Sequence, residues 1–118
     1  MQDLQCAKLP VVVSVTEDGK PNIQRMPWPY YPFAMGNTSH VITKNVDRIL
    51  TQFPSSIDTV SAKGIQKTIL LTTDTNTRII KTPALIALGS GMEASEWTSF
   101  TQRKVPVAVL LEGKFTSL

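Results

Sequence analysis

The sequence predicts an α/β fold that is strand-rich, with a mixed sheet and about two helices. Three observations predict it. Nearly continuous apolar runs occur at 69–72, 84–88 and 107–111, as in strands covered on both faces. Segment 43–53 places Val46, Ile49, Leu50 and Phe53 at the i, i+3, i+4, i+7 spacing of an amphipathic helix. Read for turn residues and period, the chain holds seven extended segments against two helical ones.

In order, residues 9–15 form a β-branched run with Pro10 near its start, which is where a strand tolerates proline. Asp18-Gly19 is a tight-turn signal, and 23–26 reads as the returning strand of a hairpin. The stretch Met26-Pro27-Trp28-Pro29-Tyr30-Tyr31-Pro32-Phe33 follows, with four of the eight large aromatics and three of the eight prolines. Proline fixes φ, lacks an N–H and pushes the preceding residue to extended conformations, so this is a stiff segment and neither a helix nor a central strand. A loop is expected at 34–39 and a short strand at 40–42. The first helix, 43–53, is capped by Thr43 or Asn45 and ended by Pro54. Strands are expected at 56–60, 67–73 and 84–88, with a polar loop at 74–77 and a brief turn at 78–81. A second helix at 92–103 would bury Met92, Trp97 and Phe100. The last strand is 105–112. A strong strand so near Leu118 suggests that the chain continues in a larger protein.

The totals bound the class. With 118 residues, 42% apolar and 18% charged, residues 1–118 are one domain or a fragment of one. The net charge is +3, and Lys44, Arg48, Lys63, Lys67, Arg78, Lys81, Arg103, Lys104 and Lys114 are dispersed. A nucleic-acid binder concentrates such residues on one face, so no nucleic-acid partner is expected. Cys6 is the single cysteine and His40 the single histidine. That excludes an internal disulfide and a multi-cysteine zinc site, and a Cys–His nucleophile pair has nothing in the spacing to support it. The carboxylates are scattered, with no metal-ligand spacing. No phosphate loop and no serine-nucleophile motif occurs. No apolar run is long enough to span a bilayer and no signal peptide is visible, so any membrane anchor lies outside this chain. No cofactor and no catalytic site is expected.

Two features carry chemistry. Gly89-Ser90-Gly91-Met92-Glu93-Ala94 fits G-x-G-x-x-A, and Glu112 lies 18 residues beyond Ala94. That is the outline of a dinucleotide-binding turn, although Glu93 and Glu96 would set carboxylates where a pyrophosphate should sit. The proline–aromatic stretch reads first as a packed Ω-type loop covering a core edge. It reads second as a partner surface of rigid aromatic anchors, and third as a stacking platform for a sugar, using Trp28 and Tyr30. The partner- or ligand-binding candidates are Trp28, Tyr30, Tyr31, Phe33 and His40.

Several ordered segments together resemble one family. They are Leu9-Pro10-Val11-Val12-Val13, Gly19-Lys20-Pro21-Asn22-Ile23-Gln24, Met26 to Pro32 as quoted, His40-Val41-Ile42-Thr43-Lys44-Asn45-Val46-Asp47, Phe53-Pro54-Ser55-Ser56-Ile57-Asp58-Thr59-Val60, Lys67-Thr68-Ile69-Leu70-Leu71-Thr72-Thr73, and the run from Val105 to Ser117. The family is that of the gliding-motility-associated ABC transporter auxiliary proteins, GldG, of the Bacteroidetes. Val41 departs from the pattern, which has proline after the histidine. The resemblance implies a fragment of a flavodoxin-like or class I amidotransferase-like domain without a catalytic nucleophile. It also implies a soluble domain on the periplasmic side of the inner membrane, with an ABC permease and an ATPase as partners and oligomerisation open.

Overall fold

The computed structural model describes residues 1–91 and 98–116. It is built from strands: β1 (Gln2–Asp3), β2 (Cys6–Val15), β3 (Pro21–Gly36), β4 (Arg48–Leu50), β5 (Ile65–Thr72), β6 (Thr77–Arg78) and β7 (Pro106–Gly113). Every pair is antiparallel. The main sheet has the order β2-β3-β5-β7, with β4 also on β3, and β1 pairs with β6. No α-helix occurs among the described residues, and a 3₁₀ turn spans Leu88–Gly91. This overturns the α/β, flavodoxin-like expectation. Parallel sheets need helical crossovers, and no such crossover is present among the described residues.

The first predicted helix is where the sequence misled most. Residues 38–45 are turns, and 48–53 run antiparallel along β3. Phe33 faces Leu50, Ala34 faces Ile49 and Met35 faces Arg48. Beyond the ladder, Thr51 donates its N–H to Pro32 O (3.0 Å) and Phe53 donates to Tyr30 O (3.0 Å). The apolar stripe is also β-branched at Val46 and Ile49, and β3 offered a row of carbonyls to dock on. The second predicted helix falls largely on residues 92–97, outside the described residues; 98–103 contains no α-helix. The strands expected at 40–42, 56–60 and 84–88 do not form, whereas those at 9–15, 67–73 and 105–112 do, within a residue or two at most boundaries.

The proline–aromatic stretch is the middle of β3, not a loop. Lys8 pairs with Pro27 and Cys6 with Pro32. Ala7 alone therefore stands opposite residues 28–31, a bulge of three extra residues that takes up the prolines without breaking the strand. The missing N–H groups do no harm, because segment 48–53 donates to the carbonyls of this stretch and asks nothing of its nitrogens. Gly36 closes the strand by close approach: a Cβ there would stand 2.7 Å from Thr43 O and 2.8 Å from Val46 O. At the other end, Gly19 takes φ +75° in the hairpin turn, a backbone that favours glycine.

The buried apolar residues gather on β3 and the strand-free stretch before β7: Trp28, Tyr30, Ala34, Phe100 and Val105. The sheet is not covered as expected, since β5 and β7 carry mostly half-buried or exposed side chains, Ile69 and Leu111 among them. The radius of gyration is 18.2 Å and the long dimension 66 Å, whereas a compact chain of this length has a radius of about 13–14 Å.

Candidate functional site: an aromatic cleft on the central strand

A cleft of about 580 Å³ opens over the bulge of β3. Tyr30 lies in its floor, with Phe53, Pro54, Ile79, Ile80 and Ile86 as apolar walls and Lys81 as its cation. Four separate segments meet here, and Met1 comes from the chain start. The rings form one cluster. Trp28 and Tyr30 are tilted at a centroid distance of 5.2 Å, Tyr30 and Phe53 stand at 6.1 Å, and Tyr31 meets Phe53 edge-on at 5.1 Å. Such pairs add about 0.5–1.5 kcal/mol each beyond area burial. The bulge explains why Trp28, Pro29 and Tyr30 are buried in succession, which alternation along a regular strand would forbid.

The structure divides the five residues named from sequence. Trp28 (6% exposed) and Tyr30 (5%) are packed inward; neither offers the open ring face that sugar stacking requires. Tyr31 and Phe33 are half-buried, Tyr31 against Phe53 and Phe33 opposite Leu50, its N–H on Gln5 O at 3.0 Å. His40 sits in the turn after β3, where its Nδ1 accepts from the Ile42 N–H at 3.2 Å. Sequence reasoning missed Phe53, which is half-exposed (50%), and the wall of Ile79, Ile80 and Ile86. Phe53 falls on a helical period that points to the wrong structure, and no local period marks the isoleucines, because the cleft exists only once 48–53 docks on β3.

The strand that carries Met1 to the cleft is fixed by a buried polar network. The Val105 N–H donates to Thr73 Oγ1 (3.1 Å), and Thr73 and Thr77 hydroxyls bond at 2.7 Å. Thr77 Oγ1 donates to Asp3 Oδ2, while Asp3 Oδ1 accepts the Gln5 N–H at 2.7 Å. Arg78 Nε donates to Gln2 Oε1 (2.8 Å), and its guanidinium lies 5.2 Å over the Phe100 ring. Burial raises the pKa of Asp3, with the bonds from Thr77 and Gln5 opposing the shift. Burial likewise raises the Cys6 thiol, so Cys6 stays protonated and behaves as a small apolar residue.

The glycine motif lacks its context. Residues 84–87 belong to no strand, Gly89 and Gly91 are in the 3₁₀ turn, and Ala94 lies outside the described residues. Glu112 is exposed near the end of β7. Among the described residues no group of three His, Cys, Asp or Glu side chains could hold a metal, and no helix is long and apolar enough to cross a membrane.

Sheet and cleft together define a strand-built module with a largely apolar cleft. The model of the ABC transporter auxiliary family, described as an ABC-type uncharacterized transport system, matches residues 1–118, and the chain belongs to that family. No curated protein matches the chain, and no solved structure does. The protein is accordingly an auxiliary component of an ABC-type transport system.

Proposed function

We propose that this domain is a non-catalytic, extracytoplasmic accessory domain of an ABC transporter complex, which binds a partner subunit or an exported ligand at the aromatic cleft. The observation that carries the reading is the cleft itself: apolar walls at Phe53, Ile79, Ile80 and Ile86 over a floor stiffened by Trp28 and Tyr30, with one cation at Lys81. A concave, mostly apolar site with few polar groups is the form that recognition sites take. Tyr31 and Phe33 support it from the same strand, and His40 lies at that strand's far end. Family membership supports a transport assembly. The sequence resemblance to the gliding-motility auxiliary proteins supports three finer points: placement on the periplasmic side of the inner membrane through segments outside this chain, an ABC permease and ATPase as partners, and a link to surface motility.

The test is a photo-crosslinking residue at Phe53 or Ile86 in the protein expressed in its own cell. We expect cross-links to a membrane subunit of the transporter or to a transported molecule, weakened at least tenfold by Ile79→Glu. Cross-linking to neither, with the fold intact, overturns the reading.

A further inference from the structure

Beyond the bulge, β2 and β3 continue as a two-stranded arm with no other strand beside it among the described residues. Its register puts Val12 opposite Ile23, Pro10 opposite Arg25 and Val15 opposite Pro21. With Lys8 and Pro27 these pairs share one face, since side chains alternate and the shift between Val12 and Ser14 restores the parity. The other face is polar toward the tip, where Asn22 Nδ2 donates to Ser14 Oγ at 3.2 Å beside Gln24. The arm is therefore amphipathic with its apolar side in solvent: Val12 is 56% exposed, Val15 66%, Ile23 56%, and the bulged Val13 43%.

We propose that this apolar face packs against the same face of a second copy of the chain, the two arms crossing antiparallel about their Val12–Ile23 pairs. Charge complementarity selects a second copy. The base of the face carries Lys8 and Arg25, and the tip carries Glu17 and Asp18, offset in part by Lys20. Lys8 lies four residues before Val12 and Glu17 five after it, so a two-fold axis through Val12–Ile23 brings each basic end to the acidic tip of the other arm. Pairing by the edge is disfavoured, because Pro10 and the register shift at Val13 interrupt the outer edge of β2. The contact is modest. Two such faces bury on the order of 1,000 Å² in total, the lower limit for a specific interface, so the association is a weak one.

Sedimentation equilibrium of the purified protein tests this. We expect a monomer–dimer equilibrium that Val12→Asp or Ile23→Asp abolishes without lowering the unfolding temperature of the dilute, monomeric protein, as both side chains are exposed. Arg25→Glu should weaken dimerisation about tenfold, and adding Glu17→Arg with Asp18→Arg should restore it. In a Cys6→Ser background, Val12→Cys should give a symmetric disulfide-linked dimer. A monomer at every concentration overturns the proposal. So does a dimer indifferent to Val12→Asp and Ile23→Asp, which would place the contact on another surface such as β7, or an arm that binds only a different protein.

Discussion

At the scale of single residues, the hydroxyl chain from Val105 through Thr73 and Thr77 to Asp3 is the least replaceable feature. Each member has one proton to give and a fixed recipient, and the terminal acceptor is a carboxylate with no solvent contact. Thr77→Val removes the hydroxyl that donates to Asp3 Oδ2 and bonds to Thr73 in a dry site. A loss of about 1–3 kcal/mol in urea unfolding is expected. The pH dependence has a definite sign. The folded state raises the Asp3 pKa above the ordinary 3.8, burial being the main cause, so the native state holds this proton more tightly than the unfolded chain. The contribution of Asp3 is thus fully present below pH 3.8 and declines as pH rises through the shifted value. Asp3→Asn should flatten that part of the stability profile, measured as unfolding midpoint against pH, while an unchanged profile would show that another group sets it.

Among the elements, β3 is the spine. It has β2 and then β5 along one edge and β4 along the other, so that its Met35 pairs with Thr72 and Arg48 at once. Its hold on 48–53 depends on donors from that segment, Thr51 foremost, whose N–H and Oγ1 both reach Pro32 O at 3.0 and 2.7 Å. Thr51→Pro removes both and should release the segment. We expect the Phe53 amide, protected from hydrogen exchange in the parent, to lose that protection, with Tyr31 and Phe53 separating. The sequence made β2, β5 and β7 legible, because Val11-Val12-Val13, Ile69-Leu70-Leu71 and Val107-Ala108-Val109 suit a pleated surface whatever lies around them. It hid β4 and the true state of β3. Val46, Ile49, Leu50 and Phe53 satisfy a helical period, yet the carbonyls of Tyr30 and Pro32 compete for the same backbone. The prolines of β3 argue against a strand only when its neighbour needs their N–H groups. β1 was illegible for a different reason: two residues, Gln2 and Asp3, are strand only because partners more than 70 positions away at Thr77 and Arg78 hold them. The candidate site was half legible. Trp28, Tyr30 and Tyr31 share one ring cluster with Phe53, but their burial and the Phe53 contact depend on that same docking.

The whole molecule is long rather than round. Small-angle scattering from a dilute solution should give a radius of gyration near the 18.2 Å of the structure, well above the roughly 13–14 Å of a compact chain; the compact value would mean that the arm folds back on the body. The body carries the cleft, and the arm carries the exposed apolar face of Val12, Val15 and Ile23. Between them lies the bulge at 28–31, where one residue of β2 faces four of β3. Because the ladder is interrupted there, the register of the arm is not dictated by the register of the body. Reach thus becomes an independent variable. Each residue pair inserted beyond the bulge lengthens the arm by about 3.4 Å and leaves the cleft untouched, so the span of the molecule can be changed by altering the hairpin alone.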